Sequence, residues 1–145
     1  MKKIGLSIFL GFLFLCHSSF DTYSPSRLQT ESYSKEQIEQ FIREVYADAA
    51  ESLFFKPNST RLKLTTDFLQ RVYIVKDAKY KATKLPSLSS ISLINDYNPG
   101  LTREAVFDPK TFNPLKYDFD MFSKSRSIIK VDDTDYAIII EPRHY

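Results

Sequence analysis

Two sets of carboxylates are the first residues in this chain that could do chemistry. Asp118 and Asp120 alternate with Tyr117, Phe119 and Met121, so in a strand both would point to one face. Two carboxyl groups so placed could work as an acid–base pair or hold a hard cation. The simpler reading is that they keep the outer face of a strand wet. Asp132, Asp133 and Asp135 form the second set. They suggest a calcium loop only superficially, because no glycine stands at the sixth position and no glutamate at the twelfth. Turn chemistry explains them better. No metal site and no cofactor is expected.

Missing residue types narrow the chemistry further. The 145 residues include three glycines, two histidines and one cysteine. Gly5 and Gly11 lie in an N-terminal apolar run, which leaves Gly100 for the rest. Phosphate-cradling loops need several glycines for tight turns and close backbone approach, so Walker and dinucleotide-binding sites are excluded. His17 follows that run and His144 stands next to the last residue. A histidine-dependent triad or a multi-histidine zinc site has almost no material.

The most suggestive stretch is residues 95–122. Asn98-Pro99-Gly100, Asp108-Pro109 and Asn113-Pro114 are turn or helix-start signals. Among them lie Tyr97, Phe107, Phe112, Tyr117, Phe119 and Phe122, with Arg103 and Lys110 nearby. Long connections with their own aromatics are uncommon in small domains and are often functional. Tyr97, Arg103, Phe107, Phe112 and Tyr117 are therefore the candidate ligand-binding residues, offering a surface for sugar or peptide. The competing reading, which is the simpler one, is a lid: Phe107, Phe112 and Leu115 pack down on a sheet in place of a second helix.

The N-terminus supplies an address. Lys2 and Lys3 precede twelve uncharged residues, Ile4 to Leu15, and then Cys16-His17-Ser18-Ser19. That order fits a secretory signal peptide, with cleavage after Ser18. Twelve helical residues reach about 18 Å, short of a bilayer core of about 30 Å. The alternative is that Cys16 becomes the first residue and carries lipid; Leu13 and Cys16 fit a lipobox, but Leu15 is too large for its place. Residues 19–33 are polar and lack a hydrophobic period, which suggests a flexible linker.

Cleavage after Ser18 leaves 127 residues without cysteine and with 18 basic and 18 acidic side chains. One domain of that size can fold on its core alone, and the charge balance argues against a nucleic-acid binder. Residues 31–51 hold six acids and two bases, while residues 56–84 hold eight bases and two acids. The basic stretch could meet an anionic partner, but mutual neutralisation of the two stretches is the simpler expectation.

The elements that must position these residues follow from periodicity. Ser34-Lys35-Glu36-Gln37 fits a capping box. Ile38, Phe41, Ile42, Val45, Tyr46, Ala49 and Leu53 then predict one amphipathic helix of about five turns, ending before Pro57. Leu62 and Leu64 alternate with polar residues and suggest a strand; so do residues 72–75, residues 87–94 more weakly, and residues 117–121. Residues 128–131 and 136–140 flank a four-residue loop and predict a hairpin, whose apolar second strand should be central. The expected fold is α+β: a signal peptide at 1–18, a linker at 19–33 and one domain at 34–145. In that domain the helix packs on an antiparallel sheet of about four to six strands that ends in the hairpin.

These features point to a small exported protein of the cell envelope, periplasmic, outer-envelope or extracellular, that binds a protein, peptide or glycan without catalysis. Membrane contact is expected only through lipid at Cys16. The alternative is a carboxylate-dependent hydrolase acting on a glycan, which needs two carboxyl groups roughly 5 to 9.5 Å apart in a cleft. Mass spectrometry of the mature N-terminus tests the address. A chain starting at Ser19 is expected, a lipid-bearing Cys16 would make the protein anchored, and retention of the whole run from Met1 would overturn export.

Overall fold

The computed structural model describes residues 26–27 and 33–144. The signal-peptide reading, Cys16 and most of the linker lie outside the described residues. The elements run in the order β1 (Ser26–Arg27), α1 (Lys35–Tyr46), α2 (Ala49–Leu53), α3 (Thr60–Arg71), β2 (Val72–Lys76), α4 (Lys79–Ala82), two 3-10 turns (Leu88–Ser90 and Pro114–Lys116), β3 (Ser127–Lys130) and β4 (Tyr136–Ile140). Helices combine with an antiparallel sheet, so the class is α+β.

The predicted capping box forms. Ser34 Oγ accepts from the Gln37 amide at 3.2 Å, and Gln37 Oε1 accepts from the Ser34 amide at 2.9 Å. Ile38, Phe41, Ile42 and Val45 are buried along one face of α1. Tyr33, placed by sequence at the end of the linker, is also buried, edge-on to Phe41 at 5.3 Å between ring centroids.

The expected five-turn helix is instead two helices. Ala47 sits at φ 44°, and its amide closes on the Arg43 carbonyl at 2.9 Å. The break turns the chain so that Ala50 and Phe54 are buried rather than Ala49 and Leu53. Burying Phe54 gains more apolar area than Leu53 would, and this offsets the strained Ala47.

The strand expected at Leu62 and Leu64 is the start of α3. Ser59 Oγ accepts from the Leu62 amide at 3.2 Å as an N-cap, just after Asn58 turns the chain at φ 56°. Thr65, Phe68 and Leu69 are buried at helical spacing. Two apolar positions, Leu62 and Leu64, are too short a pattern to outweigh that longer period.

Residues 72–76 do form a strand, and the hairpin forms with Asp133 at φ 56° in its loop. β4 lies between β2 and β3. Ile138 pairs with Ile74 on one side and Ile129 on the other, while Ile139 pairs with Tyr73 and Ile128. Strand alternation sends the first row to the main core and the second to a smaller outer cluster with Val75, Ala137 and Tyr80. The central strand is thus buried on both faces, as its unbroken apolar run predicted. β1 adds two pairs at the free edge of β2: Ser26 with Lys76, and Arg27 with Val75.

Two other expected strands are not ladders. Residues 87–94 contain a 3-10 turn and single bridges at Ser87 and Leu93. Around Tyr117 the burial alternates as predicted, with Tyr117 and Phe119 inside and Asp118 and Asp120 exposed, but only one bridge, to Leu93, forms. Pro114 lacks the amide a ladder would need, and Asn113 caps a 3-10 turn there through the Leu115 amide at 3.0 Å.

Ala47→Gly should relieve the positive φ and raise stability by about 1 kcal/mol. Chemical denaturation checks this, and a loss of stability would mean that the two-helix break is not the solution structure.

Candidate functional site

The 95–122 stretch is folded around one buried cation. Lys116 is only 6 % exposed. Its Nζ lies 2.8 Å from Glu104 Oε1 and 3.4 Å from Glu44 Oε1. Tyr117 donates its hydroxyl to Glu104 Oε2 at 2.5 Å. Asn113 Nδ2 donates to Glu44 Oε2 at 2.9 Å and to the Phe41 carbonyl at 3.1 Å. One network thereby fastens α1 to the second 3-10 turn and to the segment carrying Glu104.

The aromatics pack behind this network. Phe107 meets Tyr136 at 5.5 Å and Phe112 at 5.2 Å; Phe112 meets Tyr117 at 5.5 Å, and Tyr117 stacks on Phe119 at 5.7 Å. Phe112 and Leu115 are buried, so this part of the stretch is a packed lid over the sheet. Each aromatic pair adds about 0.5–1.5 kcal/mol beyond the area it buries.

Arg103 works as a staple. Its guanidinium donates to the Leu88 carbonyl at 2.9 Å and also to the Ile91 carbonyl, with its carbon 5.4 Å from the Tyr117 ring centroid. Asp132 grips the same 87–91 turn, accepting from the Ser87 hydroxyl and, at 3.0 Å, from the Ser89 amide. Beside this turn lies a cleft of about 420 Å³, bordered by Leu88, Arg103, Phe107, Tyr117, Val131 and Asp132. Val106 stands at its rim with 82 % of its surface exposed.

Three of the five candidate residues, Arg103, Phe107 and Tyr117, thus meet at one cleft. Phe112 does not reach it and supports Phe107 and Tyr117 from behind. Tyr97 is elsewhere, 43 % exposed and packed on the Tyr46 ring at 5.1 Å. Asp118 and Asp120 do not border the cleft, and Asp120 caps the Phe122 amide at 2.9 Å. Sequence reasoning misses Glu104 and Lys116, takes Asn113 only as a turn signal, and sets Asp132 aside as turn chemistry. The available signal was Lys116 itself, the lone charge in the largely apolar segment from Phe112 to Tyr117.

The electrostatics follow from the contacts. Burial raises the Glu104 pKa, but hydrogen bonds from Lys116 and Tyr117 outweigh it and hold the group below its ordinary 4.5. Burial, then Glu104, pushes the Tyr117 hydroxyl far above the ordinary tyrosine value. Asp132 shows the same contest: burial raises it, and hydrogen bonds from Ser87 and Ser89 bring it below 3.8. Both acids are held as carboxylates, with no proton to give near neutral pH. Among the described residues no group of three or more His, Cys, Asp or Glu side chains is placed to hold a metal ion. A second hollow of about 560 Å³ lies between α1 and α3, lined by Tyr33, Ile38, Leu62 and Thr66 with charged rims, and none of the candidate residues borders it.

No family model, curated protein or solved structure matches the chain.

A lowered folded-state pKa means that Glu104 contributes its stability in full above the ordinary value of 4.5. That contribution is lost as pH falls through the lower folded value. Glu104→Gln should cost about 1.5–3 kcal/mol near neutral pH. Urea unfolding at about pH 7 and about pH 3 checks this, since the gap between wild type and variant should shrink in acid. An undiminished gap would show that the Glu104 charge is not what holds the lid.

Proposed function

We propose that this protein is an exported, non-catalytic binding module of the cell envelope, and that its cleft between residues 88–89, 103–107 and 131–134 takes a peptide or glycan ligand. One observation carries the reading: Arg103, Phe107 and Tyr117, singled out by residue type, converge on a cleft of about 420 Å³. Binding sites for small ligands are commonly about 300–1,000 Å³, mostly apolar, with a few fixed polar groups. Leu88, Phe107, Tyr117 and Val131 supply the apolar wall here. Arg103, Glu104 and Asp132 are held by their own partners, so the polar wall needs little reorganisation to receive a ligand.

The same contacts favour binding over hydrolysis. A glycosidase needs one carboxylic acid that keeps its proton, whereas hydrogen bonds favour the ionised form of two of the three cleft carboxylates, Glu104 and Asp132. Export is supported by the charged, apolar and small-residue order of residues 1–19. The finer architecture belongs to this reading too: β1 completes a four-strand sheet, and α1 covers its inner face across the lid of residues 112–119.

Val106→Lys tests the site without touching the core. At an exposed position the change should alter stability by no more than about 0.5 kcal/mol. Amide NMR titration with panels of short peptides and oligosaccharides should shift residues 88–89, 103–107 and 131–134 in the wild type, and weaken in the variant. Shifts confined to the α1–α3 hollow, or identical titrations of the two proteins, would overturn the assignment.

A further inference from the structure

The polar side chains around the cleft spend most of their hydrogen bonds inside the protein. Two guanidinium nitrogens of Arg103 donate to the Leu88 and Ile91 carbonyls. The Glu104 oxygens accept from Lys116 and Tyr117, and those of Asp132 from Ser87 and Ser89. Thr134 donates its hydroxyl to the Val131 carbonyl at 2.9 Å and accepts from the Tyr136 amide at 3.1 Å. A saccharide carries oxygen at nearly every carbon, so it needs many uncommitted side chains and an open aromatic face. Here Tyr117 is 3 % exposed, and the Phe107 ring packs on Phe112 and Tyr136.

The backbone of one wall is in the opposite condition. Residues 103–107 border the cleft without a break. The Glu104 amide faces its own carboxylate. Among the described residues, the amides and carbonyls of Ala105, Val106 and Phe107 meet neither backbone nor side-chain partners.

Neighbouring side chains hold this backbone in place and leave it open. Glu104 reaches inward to Lys116 and Phe107 to Phe112, which ties down the segment on either side of Ala105 and Val106. Ala105 has only a methyl group to cover its peptide units, and the Val106 side chain stands out in solvent. Each of the three residues keeps one donor and one acceptor unspent, beside the apolar wall of Leu88 and Val131.

A row of main-chain donors and acceptors is matched by another main chain. An extended peptide offers the same groups along its edge and sends alternate side chains to opposite faces. Main-chain bonds then supply affinity, and a pocket for one side chain supplies specificity. From this unspent backbone we infer that the cleft ligand is an extended peptide. It pairs through its main chain with residues 105–107 and lays an apolar side chain against Leu88, Phe107 and Val131. The inference rests on the preceding reading of the cleft as a binding site, and narrows its ligand to one class.

The test uses the full chain and pools of blocked tripeptides with an apolar central residue. One pool is all-amide, and two others carry an ester in place of one or the other internal amide. A pool of neutral oligosaccharides is run beside them. In the free protein the amides of Ala105, Val106 and Phe107 should exchange quickly with solvent, and the all-amide pool should slow them at least about tenfold by NMR. A lost main-chain bond is worth roughly fivefold in affinity, so one of the two ester pools should bind that much more weakly. Equal affinity of all three peptide pools, or cleft shifts without slowed exchange at residues 105–107, would overturn the inference. Cleft shifts from the oligosaccharides alone would overturn it and leave the binding site standing. No shift from any pool would remove the site along with it.

Discussion

The fold turns on a lysine that is out of water. Lys116 is 6 % exposed and is met by Glu104 and Glu44. Burying a lone ammonium costs several kcal/mol, so the site exists only while both carboxylates are in place. Glu44 comes from α1, and Glu104 from a segment without regular structure. This charge, together with the Asn98 and Asn113 side chains that donate to the Glu44 and Phe41 carbonyls, ties a helix to a loop. Among the described residues, backbone–backbone hydrogen bonds do not connect the two. Asn113 and Tyr117 occupy further carboxylate lone pairs, as a buried polar network needs if it is not to destabilise the domain.

That constraint explains how so short a sheet is covered. β3 has four residues and β4 five, and the outer face is covered chiefly by Tyr80 of α4 and by Leu85. The inner face depends on the 112–119 segment, whose chain of rings continues from Tyr136 to Phe119. Rings alone could slide, because stacking is weakly directional compared with a charge-assisted hydrogen bond. The Lys116 network and the Arg103 staple set their register. The cleft is then the gap left where the stapled segment, too irregular to close on the hairpin, stands off from Asp132 and Val131.

What could be read from the sequence divides along physical lines. The capping box of α1, the hairpin and the doubly buried β4 rest on patterns within a few neighbouring residues, and local chemistry decides them. The break at Ala47 has no local signal, since alanine favours helix and the apolar spacing continues through it. Tertiary burial of Phe54 overrides that preference. Leu62 and Leu64 misled because two alternating positions fit either period, and the Ser59 cap was the better discriminator. Asp118 and Asp120 did alternate as predicted, but alternation reports burial, not pairing, and no ladder followed.

The site shows the same division. Arg103, Phe107 and Tyr117 were legible as residue types that bind ligands, and Phe112 as one that either binds or packs. Their grouping around the cleft depends on contacts between residues far apart in sequence, such as Asn113 with Glu44 and Ser87 with Asp132. No spacing rule reaches across such separations. A charge inside a largely apolar segment is the exception, since Lys116 could not be buried without acids brought from elsewhere. Read in that way, its position already demanded that distant carboxylates converge on the 112–117 turn, and the cleft beside Tyr117 is the consequence of meeting that demand.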